Sequence, residues 1–241
     1  MKKLIQLTVC NIFSVVSIAN AQLGRISGNG KTISETRKTQ NYDAIKVGGS
    51  FDVNLVSGKE GNIIIKGEEN LVAVIKVEVE DNTLKIYVEK GTQIRTSIGH
   101  KIEITVPFEK IDALSLAGSG DIQTKDKIKS DKFTAKLAGS GNFNLDIDSN
   151  DLEVSLSGSG NVKLKGNAKN LTTKLAGSGN INATDLKSKN VDAIISGSGN
   201  SRVNCVEKLT ARVSGSGNVK YIGNPEKRDV KISGSGTISK V

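Results

Sequence analysis

Tryptophan is absent from this chain of 241 residues, and there is one histidine, two prolines and two cysteines. Each scarcity removes a class of explanation. Three tyrosines and five phenylalanines are too few for the large-side-chain core usual in a globular α/β protein. They suit a narrow stacked core of Val, Ile, Leu and Ala instead. With His100 alone, no Ser-His-Asp arrangement can be repeated along the chain, and His100 reads as an exposed residue at a strand start. One His and one or two Cys give zinc no ligand set. Cys10 lies in the N-terminal apolar run, so the rest of the chain holds only Cys205 and cannot form an internal disulfide. Cys205 sits among Val203 and Val206 and reads as a small buried hydrophobe rather than a reactive thiol. After the N-terminus, no segment approaches the roughly 20 apolar residues that a membrane-spanning helix needs.

The N-terminus itself reads as a secretory signal over residues 1–21. Lys2 and Lys3 precede an apolar stretch from Leu4 to Ala19, and Ala19-Asn20-Ala21 supplies a small-x-small cleavage site. Cys10 lies inside the apolar run and follows bulky Val9, which argues against a lipid anchor there. The mature chain is expected to begin at Gln22, outside the cytoplasm. The polar, glycine-containing residues 22–39 are expected to form a flexible leader.

The dominant feature is a phrase repeated seven times: an aliphatic residue, Ala or Ser, Gly-Ser-Gly, then usually Asn. The first glycines are Gly118, Gly139, Gly158, Gly177, Gly197, Gly215 and Gly234, at steps of 21, 19, 19, 20, 18 and 19 residues. A period near 19 marks a stack of similar units, none able to bury its own apolar face. Within one unit, Val162 and Leu164 alternate with Lys163 and Lys165, as in a strand with one buried face. Gly166 to Asn170 is turn-like. Leu171, Thr173 and Leu175 then alternate as a second strand that leads into the next Gly-Ser-Gly.

Two architectures accommodate strand-turn-strand-turn at this period. An antiparallel meander would use the glycines for hairpin turns. A parallel β-solenoid would place equivalent residues above one another at about 4.8 Å. The recurrence of Ser at 119, 140, 159, 178, 198, 216 and 235, and of Asn142, Asn161, Asn180, Asn200 and Asn218, favours the solenoid. Stacked glycines let turns approach closely, and stacked amides can form a hydrogen-bonded ladder. Asp121 and Thr237 replace Asn at the two ends of the series. The expected fold is therefore all-β: a parallel β-helix of about 19–20 residues per coil over residues 40–241. Its regular repeat part runs over 117–241. Residues 40–116 form a less regular part, in which Gly48-Gly49-Ser50-Phe51-Asp52-Val53 is an imperfect turn phrase. Val74–Val79 and Leu84–Val88 read as a hairpin around Asp81-Asn82-Thr83, and Ile102, Ile104 and Val106 as a strand ended by Pro107.

The spaced Ser-Gly-Ser-Gly-Asn turns, the upstream Gly48–Val53 phrase and the secretory signal together resemble the family described as "Putative auto-transporter adhesin, head GIN domain", from about Tyr42 to the C-terminus. That resemblance implies a right-handed parallel β-helix exported to the envelope or surface of a Bacteroidetes-type cell. It brings no catalytic or binding residues with it. The chain stops at Val241 without a translocator barrel, so self-export is not expected of it.

Chemistry-bearing patterns are thin. Gly-Ser-Gly enters a strand, whereas a nucleophile elbow needs Gly-x-Ser-x-Gly at a strand-to-helix turn. Gly215-Ser216-Gly217-Asn218-Val219-Lys220 likewise lacks the helix of a phosphate-cradling loop. Asp121, Asp146 and Asp148 are the one acidic group a calcium ion could use, but calcium-binding rolls carry Asp where this chain carries Asn. The net charge is +9, and its lysines alternate with apolar residues along strands, as on a solvated face that also discourages edge aggregation. Nucleic acid is not an expected partner. The expected function is that of an exported, non-catalytic, adhesin-like or structural envelope protein with no cofactor or metal. Its expected partners are a surface glycan, a matrix protein, or a second copy at the solenoid ends. A polysaccharide-binding or polysaccharide-cleaving β-helix is the alternative.

Overall fold

A computed structural model describes residues 24–241. The expected signal, 1–21, lies outside the described residues. β12 (Ile128–Gly139) is followed by four strands that each wrap one whole coil: β13 (Asn142–Gly158), β14 (Asn161–Gly177), β15 (Asn180–Gly197) and β16 (Asn200–Gly215). Each pairs in parallel with the next, in the register the repeat implies. Asn142 faces Asn161, Leu152 faces Leu171 and Gly158 faces Gly177. The protein is a parallel β-solenoid, and the meander is excluded. Alternation sends Phe143, Leu145, Ile147, Leu152, Val154 and Leu156 of one coil into the core and their neighbours outward.

The segment Gly166–Asn170 departs from expectation. It is a corner within an unbroken ladder, not a turn between strands: Gly166, Asn167 and Ala168 stay paired with Ile147, Asp148 and Ser149. From β13 to β16 only the Gly-Ser-Gly turn interrupts the strand in each coil.

The N-terminal part stacks out of sequence order. β3 (Ala44–Gly49) and β4 (Asp52–Ser57) form one level, and β10 (Ala113–Gly118) with β11 (Asp121–Thr124) lies on one side of it, Gly49 facing Gly118 and Asp52 facing Asp121. On the other side lie β7 (Thr83–Val88) and β9 (Glu103–Phe108), also parallel. The chain thus lays the β3–β4 level first. It leaves through β5 (Asn62–Glu68), the short α1 (Glu69–Val72) and β6 (Ile75–Glu80), builds the level beneath, and passes the finished coil to begin β10. The Gly48–Val53 phrase is in register with the later turns. Phe51 stands where they carry their second glycine, and it is fully buried.

Antiparallel strands close this end: β6 on β7, β5 on β9, and β2 (Thr32–Lys38) on β5. The β6–β7 hairpin turns at Asp81 and Asn82, with φ of 49° and 55°, the paired left-handed residues of a two-residue hairpin loop. Two expectations are corrected here. Within the expected leader, β1 (Gly24–Ser27) pairs with β8 (Thr92–Arg95) and β2 joins the main sheet, so residues 24–38 are cap and not leader. β9 runs through Pro107 to Phe108. β5 accompanies it only from Glu103 to Thr105, so a residue without an N–H is tolerated beyond. Glu68 locks the cap. Its buried carboxylate accepts from the Ser97 hydroxyl at 2.6 Å, the Ser97 N–H at 2.9 Å and the Gly30 N–H at 2.7 Å. The Ser97 hydroxyl, helped by the two N–H donors, holds it below the usual carboxylate range.

The C-terminal end differs. β17 (Asn218–Ile222), β18 (Lys227–Ser233) and β19 (Thr237–Lys240) complete the stack, and every residue of β18 is exposed. Val230 and Ile232 continue the core columns of Ala211 and Val213 yet are 50% and 42% exposed. Among the described residues nothing covers them.

Candidate functional site

The site begins at the turn. In Gly158-Ser159-Gly160, both Ser159 and Gly160 donate their N–H to the Gly139 carbonyl below, at 3.0 and 3.1 Å. Gly158 has φ of 127°, and a Cβ there would stand 2.3 Å from the same oxygen. A side chain is therefore excluded twice, by conformation and by space. Because the coils approach this closely, the next residue, Asn161, lies directly above Asn142.

The consequence is one continuous ladder. Asn142 donates to Asp121 at 2.7 Å, Asn161 to Asn142 at 3.0 Å, Asn180 to Asn161 at 3.0 Å, Asn200 to Asn180 at 3.1 Å and Asn218 to Asn200 at 2.9 Å. All the amide N–H groups point the same way, and aligned hydrogen bonds polarise one another. This direction explains both end substitutions. The column ends on the donor side at Asp121, which can only accept. On the other side the Asn218 carbonyl is capped by the Thr237 hydroxyl at 2.6 Å and the Thr237 N–H at 3.1 Å. The seven turn serines are exposed beside the ladder. Nothing in the structure explains why they are serine rather than another small residue.

Two residues on, pointing outward on the same face, stands a second column: Asn54, Gln123, Asn144, Lys163, Asn182, Arg202 and Lys220. Between the two columns runs a groove along the solenoid axis. Its C-terminal stretch encloses about 660 Å³ and is floored by Phe143, Val162, Ile181 and Ser201. No acidic residue lines it. Its N-terminal stretch, about 430 Å³, shares Asn142 and Asn144 but carries Asp52, Glu103 and Asp121, with Lys101 bound to Asp52 at 2.9 Å. The groove is therefore acidic at one end and basic along the rest.

The residues singled out from the sequence fall as follows. Asp146 lies 3.2 Å from Lys165 and 3.8 Å from Lys127, and Asp148 lies 3.0 Å from Lys127. Although burial works the other way, hydrogen bonds from Asn167 and Lys127 hold the Asp148 carboxyl below its usual range. Asp121 belongs to the ladder, away from that pair. Among the described residues no group of three or more His, Cys, Asp or Glu is placed to hold a metal ion. His100 is half-buried rather than exposed, in the loop before β9, with Nδ1 3.3 Å from the Ile98 carbonyl. Cys205 is fully buried, which pushes its thiol pKa up.

Sequence reasoning missed further ladders. Asn170 donates to Asp151 at 2.7 Å and Asn190 to Asn170 at 2.9 Å. Asn150 donates to Asp131 at 3.1 Å, and Asn167 to Asp148 at 3.0 Å. In each, an aspartate terminates the donor side. Asn170 and Asn190, each just before an aliphatic residue, carried the signal, but Asn170 stood in a segment read as a turn.

Solved structures resemble this one closely. A "putative adhesin" from Bacteroides fragilis NCTC 9343 superposes with a TM-score of 0.83 at 29% identity, covering 90% of this chain and 100% of that one. A "putative lipid binding protein" from Parabacteroides distasonis ATCC 8503 gives 0.76 at 29% identity, over 90% and 99%. A "putative adhesin" from Parabacteroides merdae ATCC 43184 shares the fold, at 0.69 and 22% identity over 90% and 99%. No curated protein matches the chain. The model of one family, "Putative auto-transporter adhesin, head GIN domain", matches residues 41–225, and on that match, with the parallel stack and its glycine turns in register, the chain belongs to that family.

Proposed function

We propose that this protein is an exported, non-catalytic adhesion module that holds an extended polar polymer, a surface glycan or matrix component, along the amide-ladder groove. The observation that carries this reading is the groove itself. It presents the same hydrogen-bonding groups once per coil, about every 4.8 Å, so weak contacts with a repeating ligand add up. Asn142, Asn161, Asn180 and Asn200 each use one N–H and one carbonyl lone pair within the column, and their remaining donor and acceptor are free for hydroxyls. The N-terminal signal pattern and the adhesin descriptions of the family and its relatives support export. No helix among the described residues is long and apolar enough to cross a membrane.

The test is an array of glycans and matrix proteins probed with the full chain and with Asn144→Trp, which fills the groove from an exposed position. Binding by the wild type and its loss in the variant are expected. Equal binding by both would refute the groove, and release of reducing or unsaturated sugar ends would refute the non-catalytic reading. The open β18 edge, with Val230 and Ile232 uncovered, supports a second reading: self-association through the C-terminal end. Sedimentation that does not change with concentration would remove it.

A further inference from the structure

Granting a glycan in the groove, the charges assign its class: we infer that the ligand is a linear anionic polysaccharide, its carboxylates or sulfates meeting Lys163, Arg202 and Lys220. These three cations stand in one column on β14, β16 and β17, with Asn182 between the first two. Their side chains line the stretch that no acid lines. Some cations elsewhere are paired, Lys165 with Asp146 and Lys174 with Glu153 among them, while others, such as Lys132, Lys136 and Lys231, stand singly outside the groove. Among the described residues no ion pair involves Lys163, Arg202 or Lys220. Three like charges thus face a concave surface with no internal counter-charge.

Register sets the spacing. Lys163 and Arg202 are two coils apart, roughly 10 Å, and Lys220 is one coil further. A sugar residue in an extended chain advances by about one coil, so charged groups on one edge of the polymer meet the cations while its hydroxyls meet the free amide groups of Asn161, Asn180 and Asn200. A phosphate ion or a single headgroup would reach only one or two of the three. Arg202 adds a planar fork suited to a carboxylate or sulfate. The acidic N-terminal stretch, with Asp52, Glu103 and Asp121, repels the same polymer, so the footprint lies over β14–β17 and ends before Asp121.

The experiment is calorimetric titration of the full chain with polygalacturonate oligosaccharides and with their carboxyl-reduced, neutral counterparts. The carboxylated form is expected to bind at least about tenfold more tightly, with affinity falling as salt rises. The variant K163Q/R202Q/K220Q, confirmed folded by circular dichroism, is expected to erase that difference. A control variant with the same charge loss outside the groove, K132Q/K136Q/K231Q, is expected to keep it. Equal binding of both polymers, or equal loss in both variants, would overturn the inference while leaving a glycan groove standing. No binding to either polymer or to any glycan of the array would sink the groove reading as well. Binding to phosphatidylglycerol vesicles without binding to polygalacturonate would replace the polysaccharide with a lipid surface.

Discussion

Replacing Gly158 by Ala tests the structure at its tightest point. The added Cβ would lie 2.3 Å from the Gly139 oxygen, 3.1 Å from its carbonyl carbon and 3.2 Å from its nitrogen, all of them backbone. No side chain can swing away, so the coils must separate. Separation lengthens the bonds from the Ser159 and Gly160 N–H groups to that oxygen, now 3.0 and 3.1 Å, and each lost bond costs about 1 kcal/mol. Holding alanine at φ of 127° costs about 1–3 kcal/mol more. The sum is about 3–5 kcal/mol, a large share of the roughly 5–15 kcal/mol that holds a typical domain folded. Two companions separate the causes. At Gly160 the Cβ would meet the Gly141 oxygen at 2.2 Å, but no left-handed φ is involved, so Gly160→Ala should cost less than Gly158→Ala. At Gly48 the nearest atom is the Tyr87 Cβ at 3.5 Å, an ordinary contact, and Gly48→Ala should stay within about 1 kcal/mol. Urea unfolding followed by circular dichroism measures all three, with a constant slope required because stacked repeats can uncouple. If Gly158→Ala unfolds at the same midpoint as Gly48→Ala, the account of the turn is wrong.

Asn180→Ala removes the middle rung, losing the bonds to Asn161 and from Asn200. On this exposed column it should cost about 1–2 kcal/mol by the same unfolding assay. Asn180→Asp should be worse at neutral pH, since a carboxylate cannot donate to Asn161, and should recover as acid protonates it; a loss that does not depend on pH would contradict the donor direction. The Glu68 carboxyl is held below its usual range, so the folded state takes up fewer protons there than the unfolded chain. Its stabilising effect is fully present above the ordinary glutamate value of about 4.3 and fades as pH falls through the lowered folded value. Glu68→Gln should therefore destabilise the cap at neutral pH and flatten the acid limb of the stability curve; an unchanged acid limb would show that Glu68 is not the group responsible. Amide hydrogen exchange should be fastest in β18 and β19 and slow in β13–β15. Protection in β18 equal to that of β14 would mean that the C-terminal end is covered in solution.

Much of this was legible in the residues alone. Gly-Ser-Gly-Asn at a period near 19 specified parallel coils in register, because only superposed turns give every unit the same need for glycine and the same use for an amide. The strict alternation around Leu164 or Val154 assigned each side chain to core or surface. The Asp81-Asn82 hairpin was legible too, since its turn chemistry is local. Less legible was whatever depends on distant segments. Nothing local tells that residues 24–38 add strands to a cap, or that β7 and β9 slide beneath a coil already made. The same holds for the groove. Lys163, Arg202 and Lys220 look like ordinary solvated lysines and arginines in the sequence, at spacings of 39 and 18 residues.

The sequence by itself therefore determined the coil: its length, its parallel register, its inward and outward faces and its main amide ladder, because those follow from short-range periodicity and from what glycine alone permits. Tertiary structure decided the closed and open ends, the order of the levels, the common direction of the ladders toward aspartate, and the acidic-to-basic run of the groove. Those features arise only when segments far apart in the chain become neighbours one strand spacing apart.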